Sequence, residues 1–177
     1  ALPPTVTTEG GEVATVLADM KEANQLLVRN VTAAATLVRS FKSMAVDQAQ
    51  DSVEAFDPAP VIHDALGSLA HVLRQKGQTL EHEVSGEPVT LTNNPGRLSQ
   101  VVNNLVLNAS HHAYDEGPGT IVVRQRTTAT HLELEFEDKG KGMDDRVARR
   151  IFEPFVTTAK GKGGSGLGMS IVHQIVT

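Results

Sequence analysis

The sequence predicts an α+β fold: a sandwich of helices and a largely antiparallel sheet, with one long helix ahead of it. Three observations carry this expectation. Apolar residues recur at helical spacing from Gly11 to about Gln50, two stretches of alternation occupy 119–127 and 131–137, and further helical segments lie before and after that alternating pair. At 177 residues the chain has room for one ordinary domain and an appended element, on a prior of roughly 150 residues per domain.

The first stripe runs through Val13, Val16, Leu17, Met20, Ala23, Leu27, Val31, Ala34, Val38, Phe41 and Ala45, with no Gly or Pro after Gly11. A helix of about 40 residues at 1.5 Å rise would be about 60 Å long, which favours pairing with a helix of a second chain over packing on its own domain. Asp57-Pro58-Ala59-Pro60 ends this element, because a residue before proline leaves helical geometry and proline lacks a donor, and the domain boundary is placed there. The division is therefore 1–56 for the long helix and 57–177 for the sandwich.

Within the sandwich, Val61, Ile62, Ala65, Leu66, Leu69, Val72 and Leu73 repeat at helical spacing up to Gly77, a C-cap residue by type. Residues 79–84 and 88–92 read as short strands, and Asn94-Pro95 opens a helix running to about His112. Thr128, Ala129 and Thr130 leave only a short link between the alternating stretches, so they form an antiparallel hairpin. A short helix at 144–151, a Gly/Lys-rich loop to Gly166 and a helix to the C-terminus complete the order.

Composition narrows the function. A net charge of −5 with no Lys/Arg run longer than two residues argues against nucleic acid as a partner. The absence of cysteine excludes disulfides and thiolate metal sites and suits a reducing compartment. No apolar stretch approaches the roughly 20 residues that a membrane span requires.

Four segments carry side chains with chemical potential, and each alone also has an ordinary reading. Asn104 and Asn108 lie one helical turn apart, so two amides point the same way, and their hard carbonyl oxygens suit Mg²⁺; helical asparagines are also common surface residues. Asp138 closes a strand and precedes Gly140 and Gly142, so a carboxylate could accept from an exocyclic amine while bare backbone approaches a flat ring; the same residues also make an ordinary β-turn. Gly164-Ser165-Gly166-Leu167-Gly168 opens the last helix and could cradle phosphate, although its spacing matches neither the Walker nor the dinucleotide-binding loop. Phe152-Glu-Pro-Phe155 and the lysines 160 and 162 lie between the two glycine runs.

In this order and spacing, residues 58–177 resemble the histidine-kinase branch of the ATPase superfamily that also contains gyrase, the heat-shock chaperones and mismatch-repair proteins. The resemblance implies the Bergerat type of two-layer α/β sandwich, with helices on one face of the sheet, and it implies ATP and Mg²⁺ as cofactors. It implies Mg²⁺ on Asn108, the adenine amine on Asp138, a pocket shaped by Gly140, Gly142 and Met143, and a lid anchored by Phe152 and Phe155. Further nucleotide contacts are implied at Asn104, His111 and His112, at Thr157, Thr158 and Lys160, and along Gly164, Ser165, Gly166, Leu167 and Gly168. His111 and His112 stand where the family has Lys- or Tyr-type residues.

Hydrolysing members of the superfamily carry a water-activating glutamate where this chain has Asn104. An amide cannot take a proton from water, so the site suits phosphoryl transfer to an external nucleophile better than hydrolysis. The expected function is that of the catalytic region of a two-component sensor histidine kinase, a cytoplasmic homodimer that passes phosphate from a histidine to a response-regulator receiver domain. A conformational ATPase and a non-catalytic dimer scaffold are the alternatives. Residues 11–50 resemble the second helix of the dimerisation hairpin, and no phospho-accepting histidine is found in the chain, so no catalytic residue is assigned. The two strands that normally close the sheet after the last helix are also missing, and any membrane anchor would lie in segments outside this chain.

Overall fold

A computed structural model describes residues 9–46, 52–114, 117–128, 131–158 and 165–177. The first helix, α1, spans Glu9–Val46, so its last expected residues lie outside the described ones. Val13, Val16, Leu17, Met20, Leu27 and Val31 of the predicted stripe are all exposed on it, at 55–64%.

The sandwich begins with β1 (Glu54–Phe56), which pairs antiparallel with β3 (Leu91–Asn93). Neither three-residue strand was read at these limits: 88–92 was expected to be a strand, and 54–56 was not. Between them lie α2 (Pro58–Gln75) and β2 (Gln78–Gly86). The prolines that were expected to end the first helix open α2, where a first turn needs no amide donors, and the Asp57 carboxylate caps it by accepting from the Ala59 amide at 2.9 Å. α2 stops at Gly77, whose φ of +70° is the left-handed geometry of a helix end.

Asn94 caps α3 (Pro95–His112) by accepting from the Gly96 amide at 2.8 Å. The alternating stretches become β4 (Gly119–Thr127) and β5 (Leu132–Asp138), an antiparallel hairpin with Ile121 opposite Asp138. β2 pairs with β4 in parallel, from Gln78 beside Gly119 to Gly86 beside Thr127, so the sheet order is β2-β4-β5 and the sheet is mixed. A parallel neighbour requires a crossover, and α3 supplies it. The expected helix at 144–151 shortens to α4 (Asp145–Ala148) followed by turns, and α5 (Gly168–Val176) comes last.

The core lies between α2, α3 and one face of the sheet. Ile62, Leu66, Leu69 and Leu73 of α2 meet Val102 and Val106 of α3 and Ile121 and Val123 of β4. α5 packs on α3 through buried Ile171 and Val172. On the opposite sheet face Arg124 pairs with Glu83, Glu135 and Glu137 at 2.8–3.1 Å. No helix among the described residues is long and apolar enough to cross a membrane.

Candidate functional site

α3 turns one face to the core and a neighbouring face to a cavity of about 210 Å³. Leu105, Asn108, Ala109 and His112, at helical spacing, form one wall of that cavity. Ile121 of β4 and the end of β5 from Phe136 to Asp138 form the opposite side, and Gly142, Met143 and Met169 complete the lining. The structure thus brings five sequence-designated residues together: Asn108, His112, Asp138, Gly142 and Met143.

The Asp138 carboxylate is fixed by its own turn, with Oδ1 accepting from the Gly140 amide at 3.1 Å. No described residue donates to Oδ2. Gly140 is needed for space, since a Cβ there would collide with the Cβ and carbonyl of Ala113, whose oxygen also accepts from the Lys141 amide at 2.9 Å. Gly142 is needed for geometry: its φ is +71° and nothing lies within 4 Å of where its Cβ would be.

The segment after α4 reaches the same region by two contacts. His112 Nδ1 lies 3.0 Å from Thr158 Oγ1 in a hydrogen bond between residues 46 apart in sequence. Phe155, at a φ of +66°, donates its amide to Gly166 O at 2.8 Å, and a Cβ on Gly166 would lie 2.6 Å from the Phe155 carbonyl carbon. Phe152 stacks obliquely on His173 of α5, with ring centroids 5.1 Å apart. Burial lowers the pKa of His112 below its ordinary 6.5, and the Lys141 ammonium adds to the effect; both favour the neutral imidazole.

Not every designated residue lines the cavity. Asn104 sits one turn back along α3, with Oδ1 3.3 Å from the position of a Cβ on Gly168, so it touches the start of α5. Exposed His111 and half-buried Thr157 are not among the lining residues. Leu167 is buried, and Ser165 Oγ accepts its amide at 3.3 Å. Lys160 and Gly164 lie outside the described residues. Conversely, Leu105, Phe136 and Met169 line the cavity although the sequence reading assigned none of them a nucleotide contact and directed Leu105 away from the asparagines. Leu105 and Phe136 had a detectable signal, because they occupy the same helical or strand face as Asn108 and Asp138.

Known proteins resemble this chain in sequence and in fold. Residues 93–177 match the family described as histidine kinase-, DNA gyrase B- and HSP90-like ATPase. The sensor protein TorS of Escherichia coli is 34% identical over 125 residues, which is 70% of this chain and 13% of TorS. The two-component sensor PprA of Pseudomonas aeruginosa is 34% identical over 147 residues, 78% of this chain and 16% of PprA. Among solved structures, the mycobacterial sensor histidine kinase MprB superposes with a TM-score of 0.58 at 28% identity, covering 70% of this chain and 78% of that one.

The fold, the cavity and the family match define an ATP-binding domain of that ATPase family. Within that family the chain carries a catalytic domain of the sensor histidine kinase kind. It spans about one sixth or less of the length of the two curated sensors described above.

Proposed function

We propose that this chain is the catalytic region of a two-component sensor histidine kinase, using ATP with Mg²⁺ to phosphorylate a histidine outside the chain. That phosphoryl group then passes to an aspartate on a response-regulator receiver domain. The observation that carries the reading is the meeting of Asn108 and Asp138 in one cavity, with Gly142 of the Asp138 turn in its lining. Asp138 Oδ2 accepts the adenine exocyclic amine, and backbone bared by Gly140 and Gly142 lies beside the ring. His112 lines the same space, with Thr158 at the end of the segment after α4 bonded to it.

Mg²⁺ fits the donor set. Among the described residues no three His, Cys, Asp or Glu side chains gather as a metal cage, whereas Mg²⁺ characteristically takes one or two protein oxygens and fills its shell with phosphate oxygens and water. The Asn108 amide oxygen would be that protein ligand, and the bound ion would offset charge on the transferring phosphoryl group. Asn104, on the α5 side of α3, offers no proton acceptor for water, which supports transfer over hydrolysis.

Residues 1–56 act as part of a dimerisation hairpin ahead of the catalytic unit at 57–177. Support comes from the exposed apolar stripe of α1, which a second helix would cover. PprA's designation as a two-component sensor supports the regulator as partner. The test is incubation of a longer chain containing the upstream helix with γ-labelled ATP. Acid-labile label on that helix is expected, and Asp138→Asn should reduce it at least about tenfold at limiting ATP. Acid-stable label, or undiminished labelling in the variant, would refute the reading.

A further inference from the structure

The turn bearing Asp138 is held from outside by one side chain that the nucleotide assignment does not use. Tyr114 follows α3, and its hydroxyl donates to Thr120 O on β4 at 2.5 Å while accepting from the Lys139 amide at 2.9 Å. Its ring occupies the space that a Cβ on Gly119 would need, and it packs against the buried core. Three successive amides of the turn are therefore bound: Lys139 to Tyr114, Gly140 to Asp138 itself and Lys141 to Ala113 O. Only the first of these depends on a side chain from outside the turn.

We infer that Tyr114 is a positioning residue for purine selection, holding the Asp138 carboxylate at the depth and angle needed to accept an exocyclic amine. The inference rests on the adenine reading of Asp138 given above. Hydrogen bonds weaken steeply with distance and angle, and a binding group must be held within about 0.5 Å of its productive place. With the hydroxyl removed, the Lys139 amide and the Thr120 carbonyl lose a shared partner, and the residue next to Asp138 gains freedom. Phosphate contacts, made elsewhere in the cavity, are untouched. The loss therefore falls on the amine contact and shows as selectivity rather than as general weakening.

The experiment compares ATP with inosine triphosphate, which carries a carbonyl in place of the amine, by calorimetric titration of the wild type and Tyr114→Phe. The variant keeps the ring that fills the space beside Gly119 and loses only the hydroxyl. The wild type should prefer ATP, and the variant's preference should fall by about three- to tenfold, the worth of one hydrogen bond. A role confined to stability would lower the melting temperature and weaken both nucleotides alike, and an unchanged ATP preference overturns the inference. A wild type that binds both nucleotides equally overturns the adenine reading, and this inference with it. If Tyr114→Phe does not fold, hydrogen exchange in the wild type decides: a protected Lys139 amide supports the bridge, and exchange at an open-loop rate overturns it.

Discussion

Gly140→Ala separates crowding from backbone conformation at the Asp138 turn. An added Cβ would lie 2.7 Å from the Ala113 carbonyl carbon, against the 3.5–4.0 Å or so of comfortable carbon contact. The obstacle is backbone at the end of α3 together with a methyl group that has no rotamer to escape into, so relief requires moving the turn by about 1 Å. That movement disturbs the bond from the Lys141 amide to Ala113 O and the bond from the Gly140 amide to Asp138. Overpacking of this kind costs about 1–3 kcal/mol, which corresponds to about five- to 150-fold in ATP affinity if the strain is released by displacing Asp138. If the domain as a whole absorbs it, the melting temperature falls by roughly 4 °C per kcal/mol instead. Calorimetric titration and thermal unfolding of the same sample capture both routes. Gly142→Asn is the control for stability, because that position has open space and only its φ of +71° to satisfy, which asparagine tolerates. Its melting temperature should stay within about 2 °C of wild type. Wild-type affinity and melting temperature in Gly140→Ala would show that Ala113 and the turn are not in contact.

His112 gives a pH signature. Its folded pKa is lowered, so the unfolded chain binds more protons between the folded pKa and 6.5, and the His112 contribution makes stability rise with pH across that window and fall on acidification. His112→Gln should flatten that part of the profile of urea midpoints from pH 5 to 8, and a wild-type slope in the variant would remove His112 as its source. Leu73→Ala, near the C-terminal end of α2 with 1% exposure, should cost about 2–5 kcal/mol; a loss under about 1 kcal/mol in urea unfolding would show that α2 is not held by this contact.

What could be read from the sequence follows from where each signal resides. α3 was legible because Asn94-Pro95 marks its start and its apolar residues keep helical phase for 18 residues. The β4–β5 hairpin was legible because alternation and a short link occur together. β1 was not, and β3 was read only in part, as 88–92, since three residues cannot establish a period and the two strands pair about 37 positions apart. Strand direction was hidden for another reason. A period of two is the same in parallel and antiparallel pairs, so the parallel match of β2 with β4 depends on the α3 crossover and not on either strand.

The site divides along the same line. Asn108 and Asp138 announce themselves because their chemistry is in the side chain, and the structure brings them into one cavity. Tyr114 and Ala113 were invisible because their partners are the backbone groups of Thr120, Lys139 and Lys141, which any sequence would supply. α3 joins the two kinds of information. Val102 and Val106 fix its azimuth against α2 and the sheet, and that azimuth turns Leu105, Asn108 and His112 toward Asp138. A one-residue phase slip in α3 would rotate those side chains by about 100° and bury an amide among valines. The apolar residues of this helix therefore specify the site as firmly as the polar ones, although only the polar ones resemble a motif.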